Sequence, residues 1–318
     1  MKVLVTGAAG FIASHVADGF LNAGHEVVVL DDLSRGAKKN VNSKARLYQC
    51  DVRNREAVEA IFLSEKPDVV NHHAAQMDVR RGVREPHFDA QVNILGSLNV
   101  IESAVAHGAR RFIYAATAGA GYGEPKQIPV PEDYPINPIT PYGISKHTVE
   151  HYLFTFQFLY GLQYVVLRYG NVYGPRQSSQ GEAGVFAIFA EQMLSGIQPV
   201  IYGDGEKVRD YVFVSDVVAA NVAALANGTN EIFNIGSGIA TKDLEIFEQV
   251  RNLLGKTAVQ PQYLPRRPGE IDRISLDISK AARLLDWTPQ VPLAEGAKRT
   301  VRYFQDAALA SSAASSAQ

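Results

Sequence analysis

The chain has 318 residues, 46% hydrophobic and 20% charged, which is enough apolar material for a large buried core. A formal charge of -2 gives no basic footprint for nucleic acid or an anionic membrane, and no signal peptide or apolar run of membrane-spanning length is read, so a cytoplasmic location is expected. Cys50 is the single cysteine, which rules out an intrachain disulfide and a cysteine-built metal site; it reads as a buried strand-end residue.

Strand-like apolar runs recur at residues 3–5, 26–30, 46–50, 68–71, 111–115 and 163–167, separated mostly by segments of helical periodicity. Such β/α alternation predicts an α/β fold, a doubly wound parallel sheet of the Rossmann type with both faces covered and ligands held at the C-terminal strand ends. The first run leads into Gly7-Ala-Ala-Gly10-Phe11-Ile12-Ala13, a glycine loop between strand and helix. Gly7 permits the tight turn, Gly10 lets backbone N–H groups approach a pyrophosphate, and the small Ala13 lets the helix sit close to the strand. The second run ends at Asp31, 24 residues after Gly7, where a carboxylate accepts from ribose hydroxyls and repels the extra phosphate of NADP, so NAD is the expected cofactor. Asp32 adds to that repulsion. After the third run, Asp51 and Val52 suit the adenine, with a helix N-cap as the other reading of Asp51.

Near the middle of the chain Tyr142 and Lys146 stand four apart on one helical face, after the Thr140-Pro141 helix start. A lysine ammonium beside a phenol favours phenolate, and a phenol so tuned can take a proton from a sugar hydroxyl. The same helix, through residues 145–158, is apolar around most of its circumference, and a second subunit is expected to cover the outer face, making a homodimer. Cover by the chain's own C-terminal segments is the other reading. Beyond residue 170 the regularity breaks at Gly174-Pro175, Gly203-Asp-Gly205 and Pro265-Arg-Arg-Pro268-Gly269. We therefore read residues 1–170 as an NAD-binding domain, 171–306 as a substrate-binding region interleaved with it, and 307–318 as a low-complexity tail expected to fray.

With these residues in view, the chain over residues 1–305 resembles the extended short-chain dehydrogenase/reductase family, and within it the UDP-glucose 4-epimerase group. The motifs that carry the resemblance are the Gly7 loop, Asp31-Asp-Leu33, His72-His-Ala74-Ala75, Asn93, Tyr114-Ala-Ala-Thr117, Tyr142-x-x-x-Lys146, the Leu167-to-Arg176 segment, Val208-Arg209-Asp210 through Asp216, and Arg267-Pro-Gly-Glu270. The resemblance implies cofactor contacts from Phe11, Ile12, Ser34, Ala74, Ala75 and Asn93 as well, with Thr117, Tyr142 and Lys146 catalytic. It assigns Asn171 to the substrate diphosphate or the sugar region, Arg209 and Arg267 to the diphosphate, Glu270 to the nucleoside ribose, and Ile274 to the room beside a sugar N-acetyl group. The paired His72 and His73 then line the cofactor strand, and no metal is implied. Related dehydratases carry an acid just after the catalytic Ser/Thr, where this chain has Ala118-Gly-Ala-Gly121, so the expected reaction is epimerisation of a UDP-sugar at C4. The other readings are a nucleotide-sugar reductase, an epimerase of UDP-N-acetylhexosamine or UDP-uronate, and an NAD-binding regulator without catalysis.

Overall fold

The computed structural model describes residues 1–179, 184–267 and 269–316; residues 180–183, Pro268 and the last two residues of the tail lie outside the described residues. In the first half, β1 (Lys2–Thr6), β2 (Glu26–Asp31), β3 (Arg46–Gln49), β4 (Val69–His72), β5 (Arg111–Thr117) and β6 (Gln163–Tyr169) alternate with α1 (Phe11–Asn22), α2 (Arg55–Glu65), α3 (Val79–Arg84), α4 (Pro86–Ala90), α5 (Ser97–Ala106), α6 (Gly119–Tyr122) and α7 (Pro141–Tyr160). In the second half, β7 (Asn171–Tyr173), β8 (Val200–Tyr202), β9 (Val208–Phe213), β10 (Glu231–Ile235), β11 (Ala240–Lys242) and β12 (Gln262–Leu264) are joined by α8 (Val185–Leu194), α9 (Val214–Ala223), α10 (Asp243–Leu253) and α11 (Leu293–Ser316).

The main sheet has the order β10-β6-β5-β4-β1-β2-β3, and its strands pair in parallel throughout. Strands β2, β5 and β6 are buried along nearly their whole length because helices cover both faces. On one face α1 and the helices of the second half pack around Val5, Phe20, Ile113 and Leu167; on the other, α2, α5 and α7 pack around Leu30, Phe62, Phe112 and Val166. The strand order reverses between β1 and β4, which opens a crevice at their C-terminal ends. Thr6 ties that crevice together: its hydroxyl meets His72 Nδ1 at 2.7 Å and accepts from the backbone N–H of His73 and Ala74.

Two features bear on the division of the chain. The seventh strand, β10, and the helix α9 come from the second half yet belong to the first layer, so the border at residue 170 divides the chain but not the sheet. Helix α9 lies directly on α1, where a side chain on Gly19 would overlap Val218. The tail expected to fray from residue 307 instead continues α11 to Ser316. An alanine-rich sequence with no proline or glycine is a good helix former once a docked turn has nucleated it. No helix among the described residues is long and apolar enough to cross a membrane.

Candidate active site

A cleft of about 1140 Å³ runs along the C-terminal strand ends from the Gly7 loop to the β8–β9 region. At one end, Gly7 adopts φ +74, and an added Cβ would stand 2.8 Å from the backbone nitrogen of Ala74, so only glycine lets the first turn pass under the β4 loop. Gly10, in extended conformation, opens α1 with no side chain capping it and no acid in the first turn. The uncapped N–H groups and the positive helix end therefore face the cleft, a geometry suited to a pyrophosphate.

Asp31 is buried and accepts the N–H of Ala9 at 2.9 Å and of Leu33 at 2.8 Å, one on each oxygen. Burial pushes its carboxyl up, and those two N–H donors oppose the shift. Lone pairs remain on both oxygens for ribose hydroxyls. Asp32 accepts from the backbone and hydroxyl of Ser34, while Asp51 is held by Arg53, whose hydrogen bonds lower its carboxyl. The N-cap reading of Asp51 is corrected by the structure, because Asn54 caps α2 through Ala57 N–H. Arg35 reaches Asp78 at 3.3 Å across the cleft mouth.

Thr117, the last residue of β5, lines the middle of the cleft together with Tyr142 and Lys146 from the first turns of α7. Thr140 caps that helix by accepting Gly143 N–H, and Pro141 follows as its first residue, which fixes the start of the turn that carries Tyr142. Among the described residues neither the Thr117 nor the Tyr142 hydroxyl is engaged by another side chain, so both are open to a ligand. Burial raises the Tyr142 phenol, with the nearby Asp89 charge adding to the effect. Burial also lowers the Lys146 ammonium to about 7 against the opposing pull of Glu150 and Asp89, and its Nζ lies 4.3 Å from the centre of the Tyr114 ring. In the protein alone desolvation, and not the expected acidification by Lys146, governs the Tyr142 phenol.

Asn93 and Ile274 do not line the cleft. Asn93 sits in a π-helical segment, buried, where its amide clamps Gln76 through both backbone groups and donates to Ser145 Oγ at 3.1 Å. It positions the β4 loop and α7. Ile274 packs with Ala118, Tyr122 and Leu276 beneath the Thr117 loop, because the Val208–Arg273 bridge fixes the alternation and turns residue 274 inward. The wall residue there is Ile271. His72 is buried and His73 half-buried, the two are engaged by Thr6, Ser97 and Tyr169, and desolvation holds both far below the usual histidine range, His73 at about 3.

At the far end, residues 207, 209 and 211 share one face of β9 and its approach, and all three line the cleft. Arg209 donates to the carbonyls of Val208, Asp272 and Ile271, which aims the rest of its guanidinium into the cleft. Arg267 stacks on Tyr202 with 3.3 Å between guanidinium carbon and ring centre, and reaches Glu270 at 3.7 Å. Glu270 is bound more closely by Lys207, and Asn171 opens β7 nearby. Lys207, Tyr202, Tyr211 and Gln76 are lining residues that the motifs did not single out. For Lys207 and Tyr211 the signal was the period of two around Arg209.

Comparison with known proteins gives the arrangement a family. Residues 3–236 match the model of the NAD dependent epimerase/dehydratase family. The chain belongs to that family. It is 42% identical over 311 residues to a UDP-glucose 4-epimerase of Mycolicibacterium smegmatis, covering 96% of this chain and 99% of that one. Its fold is similar to the crystal structure of UDP-glucose 4-epimerase from Thermotoga maritima with UDP-glucose, at 47% identity and a TM-score of 0.95 over 96% of this chain and 99% of that one. It is also similar to the crystal structure of the Thermus thermophilus UDP-glucose 4-epimerase complex with NAD, at 42% identity and a TM-score of 0.92 over 96% and 100% of the two chains. The family requires NAD, and the cradle described above fits it: a glycine that no other residue could replace, an uncapped helix N-terminus for the phosphates, and an acid at the end of β2 for the ribose.

Proposed function

We propose that this member of the family is an NAD-dependent UDP-hexose 4-epimerase that interconverts UDP-glucose and UDP-galactose. The observation that supports this most is the meeting of two unengaged hydroxyls, Thr117 and Tyr142, with buried Lys146 in the cleft that begins at the Gly7 loop. Phe11 and Ile12 N–H groups would hold the cofactor phosphates, Asp31 the adenosine ribose, Val52 and Ala74 the adenine, and Lys146 the nicotinamide ribose. Bound NAD supplies a reversible two-electron acceptor whose positive ring adds the charge that Tyr142 lacks on its own.

Tyr142 takes the proton of the sugar C4 hydroxyl as that carbon is oxidised to a ketone, and Thr117 hydrogen-bonds the reacting oxygen. Asn171, Arg209 and Arg267 hold the diphosphate while the ketone turns over and accepts hydrogen on its other face. Tyr142 then returns the proton. With no acid at residues 118–121, an elimination in the same cleft lacks its proton donor. We place the enzyme in the cytoplasm as a homodimer joined through α7, whose outer face keeps Phe154 60% and Phe158 78% exposed.

The test is conversion of UDP-galactose followed by product chromatography. Tyr142→Phe is expected to slow turnover by roughly 10²–10⁴-fold, the usual worth of a positioned acid/base, while leaving NAD bound. Equal rates in variant and wild type, or net NADH release by the wild type, overturn the reading.

A further inference from the structure

The far end of the cleft holds a carboxylate where an anionic substrate must lie, and the chain solves that conflict with one lysine. Lys207 is only 6% exposed, yet it lines the cleft and forms a close ion pair with Glu270 Oε2. Arg267 approaches the other oxygen, Oε1, at 3.7 Å, so the two oxygens of Glu270 are held from different sides. The lysine is itself fixed: its carbonyl accepts Asp243 N–H at 3.0 Å, and its stem runs past Gly203, whose added Cβ would lie 3.7 Å from Lys207 Cε. No other cation among the described residues pairs with Glu270.

We propose that Lys207 is a positioning residue for nucleotide recognition: it neutralises Glu270 and orients its free lone pairs toward the diol of the substrate ribose. The inference rests on the reading of Glu270 as the ribose acceptor. A bare carboxylate there would repel the diphosphate and draw Arg267 away from the Tyr202 ring. Paired with Lys207, the same carboxylate accepts hydroxyl donors without that repulsion, and it selects ribose over 2′-deoxyribose because an analogue lacking the hydroxyl leaves a held acceptor unmatched.

The experiment is calorimetric titration of UDP and 2′-deoxy-UDP into the full-length NAD-loaded protein, for wild type, Lys207→Met, Lys207→Arg and Lys207→Met/Glu270→Gln. Lys207→Met is expected to weaken UDP binding by about ten-fold, the effect of one charge-assisted contact, and to shrink the ribose preference toward unity. Lys207→Arg should restore most of both, and the double variant should recover affinity but not ribose preference. Thermal unfolding of each variant separates misfolding from lost recognition. Unchanged affinity and ribose preference in Lys207→Met overturn the proposal, as does equal loss in Lys207→Arg or a double variant weaker than Lys207→Met. Wild-type protein that binds UDP without turning over UDP-sugars would instead sink the epimerase reading, and one indifferent to the 2′-hydroxyl would sink the role of Glu270.

Discussion

Burial sets the chemistry of single residues in this cleft more than sequence spacing does. Tyr142 and Lys146 stand four apart as the helix period demands, yet desolvation dominates both, raising the phenol and lowering the ammonium. The lysine gives a measurable consequence. Its folded value of about 7 lies below the ordinary 10.5, so between those values the unfolded chain holds a proton that the folded chain has released. The unfolded state then binds more protons, and stability rises with pH across that window. Denaturant unfolding of the cofactor-free protein from pH 6 to pH 10 should show wild type gaining on Lys146→Met above about pH 7, with a constant difference below it. A flat difference throughout would show that Lys146 keeps its charge when folded.

The elements are joined by side chains that lie outside the motifs. Glu65, the last residue of α2, is buried and accepts from Lys2 of β1 and from Arg46 and Tyr48 of β3. Burial works against its charge, but the hydrogen bonds from Tyr48, Arg46 and Lys2 prevail and hold the carboxyl at about 2. Glu65→Gln should cost roughly 1–3 kcal/mol at pH 7, as expected for truncating a buried, multiply bonded carboxylate. Because the folded value is depressed, the contribution is present above the ordinary 4.5 and is lost as pH falls toward about 2; Glu65→Gln, read by thermal unfolding, should converge on wild type in that range. The strand runs, the glycine loop and Asp31 were legible because backbone sterics and a fixed periodicity dictate them. Glu65 was not, since its three partners lie in strands that only the parallel register brings beside α2. Ile274 was misplaced for a related reason: whether it points in or out depends on an isolated bridge to Val208 that no local pattern announces.

For the whole molecule, the apolar girth of α7 was readable from sequence, and the structure shows which half of it the chain covers. Val149 and Leu153 are buried on the sheet, whereas Ile144, Phe154, Phe158 and Leu159 are exposed and uncovered by the chain's own C-terminal segments. In the proposed homodimer a partner surface covers this patch, and two-fold pairing lets the same helix serve on both sides. Phe154→Glu/Phe158→Glu should shift the protein to monomers in sedimentation velocity while preserving bound NAD, since the cofactor cradle lies at the strand ends. A wild type that sediments as a monomer would remove the dimer.

The origin of β10 has a consequence for how the chain is made. Strand β6 is finished at Tyr169, but its outer neighbour consists of residues 231–235, so a growing polypeptide carries one unsatisfied ladder until that later stretch has left the ribosome. A product terminated anywhere between the two exposes a naked, hydrophobic strand primed to recruit other chains, and it should accumulate as aggregate instead of as half an enzyme.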